Sequence, residues 1–127
     1  MSRVNPETAF TNVVRAVLQR NGAYFIKVSD RFTIGVPDAV VCTSTRVIVV
    51  EFKVLRRSVL GTATYSELGL SGAQDSRIRE FYARAKCSYV VAEQPDGTPT
   101  VWVPVAAATR GGYYRQLDGD VYQELLK

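Results

Sequence analysis

The chain has 127 residues and a net charge of +4, with 46% apolar and 22% charged residues, and it contains no histidine. This composition is typical of a globular protein, and the length suits one domain with one hydrophobic core, taken here as residues 1–127. Without histidine, triads with a histidine base, histidine-dependent nuclease motifs and histidine-rich zinc sites are excluded. Any hydrolysis would have to use carboxylates, a lysine and a metal.

The basic residues are mostly arginine, 12 of 16, and the planar guanidinium group suits phosphate, which makes nucleic acid a reasonable partner. No apolar run is long enough for a membrane span, and the N-terminal MSRVNPETAF lacks the apolar stretch of a signal peptide. Cys42 and Cys87 have no CxxC spacing and are predicted to be buried free thiols. We therefore expect a cytoplasmic protein with no membrane partner.

The first predicted helix begins at Asn5-Pro6-Glu7, which supplies a capping side chain, a proline at the first helical position and an acid near the helix N-terminus. Apolar residues then recur with a helical period as far as Leu18, and Asn21-Gly22 ends the helix. Glu7 either complements the helix dipole or leans toward the buried face, where it could join a site.

A predicted strand over 23–28 and a polar loop over 29–35, which carries Arg31, lead into a hairpin. Two apolar runs, Asp38–Cys42 and Val47–Phe52, are predicted to pair around Ser44-Thr45. In that register Asp38 lies opposite Glu51, and strand alternation places Lys53 on the same face.

Two carboxylates held side by side repel each other unless a cation neutralises them. Oxygen ligands suit Mg²⁺, and a nearby lysine can orient a water molecule and offset negative charge on a phosphate undergoing attack. Asp38, Glu51 and Lys53 therefore fit phosphodiester hydrolysis. A structural salt bridge between the lysine and the two acids is the alternative.

The stretch 54–70 has no clear period and contains Arg56-Arg57, which favours either a flexible basic arm that touches DNA or a solvated loop. A second helix is predicted over 71–86, with Ser71 and Gln74 as a capping box and an apolar stripe. The residues of that stripe are Ile78, Phe81, Tyr82 and Ala85.

The remaining chain predicts strands over 88–92 and 100–103, a loop over 104–116 and a short helix over 121–126. The predicted fold class is therefore α/β, with about five strands in the order α-β-β-β-α-β-β and a short C-terminal helix. Arg77, Arg79, Arg84 and Lys86 are expected to make the exposed side of the second helix basic.

Pro37-Asp38, followed after twelve residues by Glu51-Phe52-Lys53, resembles the PD-(D/E)xK nuclease motif. Members of that superfamily carry these acids on a hairpin of the central sheet, after a helix with another glutamate, which is the place of Glu7. The Gly-Val-Pro-Asp sequence and Gln74 resemble the branch of Holliday-junction resolvases and virus-type replication-repair nuclease (VRR-NUC) domains. The resemblance covers residues 7–92.

The resemblance implies a restriction-endonuclease-like core with a central mixed sheet flanked by helices. It implies that Asp38 and Glu51 bind Mg²⁺, with Mn²⁺ able to substitute, assisted by the backbone carbonyl of Phe52 and by Glu7. Lys53 would position the attacking water, and Gln74 would approach the site from the second helix, where the capping box explains it equally well. No nucleotide cofactor is implied.

The hypothesis that follows is a Mg²⁺-dependent DNA endonuclease of resolvase type. Symmetric cutting of a four-way junction needs two sites, so a homodimer acting on branched DNA is expected, and such a stand-alone nuclease suits a phage or mobile element. The alternatives are a nuclease acting on flaps, single strands or linear duplex, and a catalytically idle DNA-binding protein. The expected DNA contacts are Arg31, Arg56, Arg57, Arg77, Arg110 and Arg115.

Overall fold

A computed structural model describes residues 5–28, 35–105 and 113–127 of the chain. Arg31 and Arg110 lie outside the described residues, so their predicted contacts with DNA stay predictions. The described helices are α1 (Pro6–Arg20), α2 (Gly72–Ala85) and α3 (Val121–Leu125). The described strands are β1 (Tyr24–Lys27), β2 (Ala39–Cys42), β3 (Val47–Val54), β4 (Thr62–Thr64), β5 (Ser88–Glu93), β6 (Pro99–Pro104) and β7 (Tyr113–Gln116).

The strands form one mixed sheet in the order β1-β2-β3-β5-β6-β7-β4, in which β3 and β5 are parallel and the other neighbours are antiparallel. The predicted α/β class, with helices flanking a mixed sheet, is confirmed. The predicted number of five strands is wrong, because β4 and β7 fall in segments that were expected to be loops. Both are short and obtain their sheet hydrogen bonds by pairing with distant segments, so neither leaves a clear local pattern in the sequence.

Each face of the sheet has its own core. Helices α1 and α3 cover one face, where Phe10, Val14 and Leu18 pack on side chains of β1, β2 and β3. On the other face, α2 and residues of the segment 55–70, which includes β4, pack around Trp102 and Tyr114. Side chains of β1, β2 and the start of β3 on this second face are left partly exposed.

The predicted start of α1 and the hairpin register are confirmed. The side chain of Asn5 accepts a hydrogen bond from the backbone N–H of Glu7 at 2.8 Å. Cys42 pairs with Val47 and Val40 with Val49, as alternation around the turn predicts. Among the described helices, none is both long and apolar enough to cross a membrane.

The apolar stripe predicted for α2 is only partly buried. Ile78 is 1% exposed, whereas Phe81 is 40% exposed and Ala85 is also exposed. Phe81 lies two turns after Gln74, on the same side of the helix. Gln74 contacts Glu51 of β3, so this side of α2 is directed toward β3, whereas the helix packs mainly on β5 and β6. The sequence pattern therefore includes an apolar surface that stays exposed in the part of the chain that the structure describes.

Residues 55–61 form an anchored loop and not a flexible arm. The buried side chain of Gln94 accepts a hydrogen bond from the N–H of Val59 at 3.0 Å and donates one to its carbonyl at 2.6 Å. Gln116 holds Gly61 in a similar way, through its side-chain oxygen and its backbone N–H. Arg56 and Arg57 thus project from a loop that is fixed on the sheet.

Candidate active site

The structure brings Asp38, Glu51 and Lys53 together, as the sequence predicts. Glu51 and Lys53 are alternate residues of β3 and share one face of the sheet, while Asp38 lies immediately before β2. Asp38 Oδ2 accepts a hydrogen bond from the backbone N–H of Phe52 at 2.9 Å, and Lys53 Nζ lies 4.0 Å from Glu51 Oε1. Two acids and a lysine therefore meet where β3 extends beyond the start of β2.

The peptide between Glu51 and Lys53 is held in place by the core. The ring of Phe52 is fully buried on the opposite face, with its centroid 6.1 Å from that of Phe10 and 6.1 Å from that of Phe25. Alternation along β3 therefore sends one side chain into the core and its two neighbours into the site.

Gly35 allows the chain to enter the site close to α2. Its φ is +82°, and a Cβ built at this position would lie 2.5 Å from the carbonyl oxygen of Ala73 and 3.0 Å from the backbone nitrogen of Gln74. Only glycine fits such an approach in this conformation. The sequence singles out Gly-Val-Pro-Asp as a motif, but the reason for its glycine lies in this tertiary contact.

Gln74 takes part in both of the arrangements that the sequence leaves open. Its Oε1 accepts a hydrogen bond from the N–H of Ser71 at 2.9 Å, and its own N–H donates to Ser71 Oγ at 3.1 Å, which completes the predicted capping box. Its Nε2 also donates to Glu51 Oε1 at 2.9 Å. The side chain thus caps α2 and contacts the site.

Glu7 lies beside the site in the first turn of α1. It lines a pocket of about 250 Å³ together with Asp38, Lys27, Asn5, Thr8 and Thr11. Burial raises the pKa of Glu7, the positive charge of Lys53 opposes that shift, and the negative charge of Asp38 adds to it. Lys27 was not singled out in the sequence, although alternation from the buried Phe25 places it on the face that α1 covers.

Glu51 is the electrostatic centre of the site, with only 1% of its surface exposed. Burial, followed by the negative charge of Asp38, raises its pKa to about 8, although the positive charge of Lys53 acts in the opposite direction. Among the described residues, Glu51 Oε2 is the buried side-chain oxygen or nitrogen that has no hydrogen-bond partner. A buried carboxylate oxygen without a donor is what a cation would satisfy.

The carboxylate oxygens of Asp38 and Glu51 suit a hard divalent cation that takes only some of its ligands from side chains. Within the described ranges, no three acidic, cysteine or histidine side chains are grouped closely enough to hold a metal together. Asp38 and Glu51 would therefore be the side-chain ligands, with a backbone carbonyl and waters filling the remaining positions, as is common for Mg²⁺. Glu7 is close enough to respond to the charges of Asp38 and Lys53, and it would act from outside this pair.

Two of the arginines predicted to contact DNA line a groove next to the site. Arg56 and Arg57 border a depression of about 470 Å³ that also includes Gly69. A Cβ built at Gly69 would lie 3.8 Å from Cδ of Lys53, so the groove opens beside the lysine of the site. Its polar and apolar walls are completed by Val54, Leu55, Ser58, Val59, Ser66 and Glu67.

The other described arginines differ in role. Arg77 on α2 and Arg115 on β7 are exposed, which is compatible with the predicted contacts to DNA. Arg79, expected on the basic exposed side of α2, is instead half-buried: it pairs with Asp75 at 2.9 Å and donates hydrogen bonds to the carbonyls of Val105 and Tyr113. Arg79 therefore connects α2 to the residue after β6 and to the first residue of β7.

Of the comparisons with known proteins, the one with solved structures finds a similar fold. No family model and no curated protein sequence matches the chain. Among solved structures, the chain is similar to Hjc, a Holliday junction resolvase from the archaeal hyperthermophile Archaeoglobus fulgidus. The likeness has a TM-score of 0.60 at 17% sequence identity and covers 92% of each chain.

The chain therefore has the fold of an archaeal Holliday junction resolvase, and the predicted restriction-endonuclease-like architecture is confirmed at that level. The assignment to the VRR-NUC branch stays a prediction.

Proposed function

We propose that this chain is a metal-dependent endodeoxyribonuclease that acts on branched DNA, with a four-way junction as its preferred substrate. The observation that carries the proposal is the environment of Glu51. In a resolvase-like fold, it is a buried carboxylate near the C-terminal end of β3, beside Asp38 and Lys53, and one of its oxygens has no hydrogen-bond partner among the described residues. A structural salt bridge does not account for that oxygen, because Lys53 lies nearer to Oε1.

In the proposed site, Asp38 and Glu51 hold Mg²⁺, and Mn²⁺ can replace it. In an extended strand the N–H and C=O groups of one residue point to the same side, so the carbonyl of Phe52 points toward Asp38 and can add a ligand. When bound, the ion would polarise the scissile phosphate and stabilise the leaving oxygen. Glu7 adds negative charge from the side of α1.

Lys53 has the role of orienting the attacking water and offsetting negative charge that develops on the phosphate. Only 15% of its side chain is exposed, and its stem runs beside Gly69, so few conformations are open to the amino group. A cation held in this way can stabilise a transition state without first having to be ordered.

One strand of the substrate would leave the site through the groove bordered by Arg56 and Arg57. These side chains follow Lys53 along the chain after only two residues, and their loop is already anchored by Gln94. Arginines on a fixed loop bind phosphates without the entropic cost of ordering the loop. Arg77 and Arg115, with Arg31 and Arg110, are the further candidates for contacts with the arms of the junction.

We also propose that the nuclease is a homodimer that packs through an uncovered apolar surface. This open sheet face consists of Tyr24, Ile26, Val40, Cys42 and Val47, and Phe81 of α2 is exposed on the same side of the sheet. Two residues of this face are strongly exposed, Tyr24 at 67% and Val47 at 56%. The surface is therefore apolar although the protein has a net charge of +4.

None of the five residues that make up the open sheet face is charged, so a second copy suits this surface better than DNA does. It continues along β2 and β3 toward Asp38 and Glu51. Two copies joined there would therefore carry both sites in one assembly, as paired cuts require.

The experiment that tests the proposed function is a cleavage panel in Mg²⁺ with a four-way junction, a flap, a single strand and a linear duplex, each labelled on one strand at a time. Paired, symmetric cuts confined to the junction are expected, and Glu51→Gln is the inactive control. If the protein cut flaps, single strands or linear duplex in preference to the junction, the preferred DNA would be its substrate in place of the four-way junction. Binding without cutting in either Mg²⁺ or Mn²⁺ would identify a catalytically idle DNA-binding protein.

A further inference from the structure

The carboxamide of Gln74 links the start of α2 to the carboxylate of Glu51, and its orientation is fixed. The backbone N–H of Ser71 can only donate, so the group facing it at 2.9 Å must be the amide oxygen. The amide nitrogen is thereby directed to Glu51 Oε1, also at 2.9 Å. The capping box determines which end of Gln74 meets the site.

This arrangement makes the two oxygens of Glu51 unequal. Oε1 receives the hydrogen bond from Gln74 and is also the oxygen that lies nearer to Lys53. Oε2 is buried and has no partner among the described residues. A carboxylate fixed through one oxygen cannot rotate freely, and so the other oxygen keeps one position.

We infer that Gln74 is a positioning residue: the capping box of α2 holds its amide as a donor, and the amide holds Glu51 so that Oε2 is presented to a divalent cation. The inference rests on the proposed function in that the cation is the one the nuclease would use. It assigns the start of α2 a role in the metal site in addition to its role in helix stability. Hydrogen-bonded partners of metal ligands commonly contribute 10- to 100-fold to metal affinity or activity.

The test compares two variants that both weaken the capping box. Gln74→Met keeps the length of the side chain but removes the amide, and so it loses the contacts with Ser71 N–H and with Glu51. Ser71→Ala removes only the hydroxyl cap and leaves the amide between Ser71 N–H and Glu51 in place. Urea unfolding of the metal-free chains measures the loss of the cap, and calorimetric titration with Mn²⁺ in the absence of DNA measures the metal site.

We expect both variants to lose stability, whereas Mn²⁺ affinity falls at least 10-fold in Gln74→Met and stays within about 2-fold in Ser71→Ala. Wild-type affinity in Gln74→Met would overturn the inference, and so would an equal loss of affinity in Ser71→Ala. The proposed function would fail if the wild-type chain cut none of the DNA substrates. The Mn²⁺ titrations would still test the role of Gln74 in that case, because they do not depend on cleavage. A wild-type chain that binds no Mn²⁺ would overturn both.

A second variant covers the case in which Gln74→Met does not fold. Gln74→Glu preserves the capping box, because glutamate accepts from the N–H of Ser71 as glutamine does. Its other oxygen replaces the donor to Glu51 with an acceptor. We expect the variant to fold at pH 7, with some loss of stability in urea from the second carboxyl beside Glu51, and kcat for DNA cleavage to fall at least 10-fold with KM unchanged. Wild-type kcat would reduce Gln74 to a helix cap and overturn the inference.

Discussion

Asp38 is fixed by Phe52: its Oδ2 accepts a hydrogen bond from the Phe52 backbone N–H at 2.9 Å, although the two residues are 14 positions apart. The bond ties the residue before β2 to the peptide that separates Glu51 from Lys53. One carboxylate therefore serves both as a candidate metal ligand and as a connection between two strands.

The two roles of Asp38 can be separated by mutation. Asp38→Asn keeps an oxygen that accepts from Phe52 N–H, whereas Asp38→Ala leaves that N–H without its partner. We expect both variants to lose Mg²⁺-dependent cleavage, and Asp38→Ala to lose about 1 kcal/mol more unfolding free energy than Asp38→Asn. Urea unfolding and the junction assay measure the two effects. Full activity in either variant would remove Asp38 from the site.

The raised pKa of Glu51 makes the metal-free protein less stable as the pH rises. The ordinary pKa of a glutamate, which applies to the unfolded chain, is 4.5, whereas the pKa of Glu51 in the fold is about 8, so between these values the folded chain binds the additional proton. Glu51 therefore lowers the unfolding free energy by about 1.4 kcal/mol per pH unit across this window and has no further effect above it.

Glu51→Gln removes this titration. In EDTA, the stability of Glu51→Gln relative to the wild type should therefore increase from pH 5 to pH 8, as measured by urea unfolding at several pH values. A difference that does not change with pH would contradict the raised pKa. Because Glu7 remains in both proteins, its own raised pKa largely cancels in the comparison.

Gly35→Ala should damage the fold and the site together. The added Cβ would meet the carbonyl oxygen of Ala73 at 2.5 Å, in a backbone conformation with φ of +82°. Gly61→Ala is a matched control, because its φ is +80° and a Cβ there would have no neighbour within 4 Å. We expect Gly61→Ala to cost about 1 kcal/mol from backbone strain alone and Gly35→Ala to cost at least 2 kcal/mol.

Cleavage should fall in Gly35→Ala and persist in Gly61→Ala, since only Gly35 sets the path of the chain into Asp38. Thermal unfolding and the junction assay provide both measurements. Equal effects of the two substitutions on stability and cleavage would mean that the chain at residue 35 moves away from α2 without harm to the fold or the site.

The groove beside Lys53 predicts a specific salt dependence. Arg56→Ala combined with Arg57→Ala should weaken DNA binding and reduce the slope of log affinity against log salt by about 1.8, which is about 0.9 for each lost phosphate contact. Arg20→Ala combined with Arg84→Ala is the control with the same change in charge, since both residues are exposed and belong to the C-terminal ends of their helices. Equal slopes for the two double variants would mean that the loss of two positive charges weakens DNA binding wherever they lie, and that the groove makes no specific phosphate contacts.

The open sheet face predicts a dimer in solution that a single charge disrupts. Val47→Glu should convert the dimer to a monomer, because it places a charge in an apolar interface, while the exposed end of β3 still folds. Val13→Glu is the control, at a valine that is 60% exposed on α1 across the sheet. Light scattering measures both, and a wild-type monomer would remove the proposed basis for paired cuts.

Much of the site could be predicted from the sequence because its chemistry is local. The spacing of Glu51 and Lys53 on one strand puts both on one face, and the short hairpin leaves few registers in which Asp38 can pair. The dual contact of Gln74 was not decidable, because its capping pattern is local whereas its bond to Glu51 joins residues 23 positions apart.

The sequence by itself determined the helices α1 and α2, the β2–β3 hairpin and the exclusion of histidine chemistry, since periodicity, capping residues and composition act over short distances. Only the tertiary structure decided the seven-stranded sheet, the anchored loop that carries Arg56 and Arg57, and the exposure of Phe81. Each of these depends on which distant segment lies alongside. A strand such as β4 forms only because β7 satisfies its hydrogen bonds, and an apolar residue such as Phe81 is buried only where another element covers it.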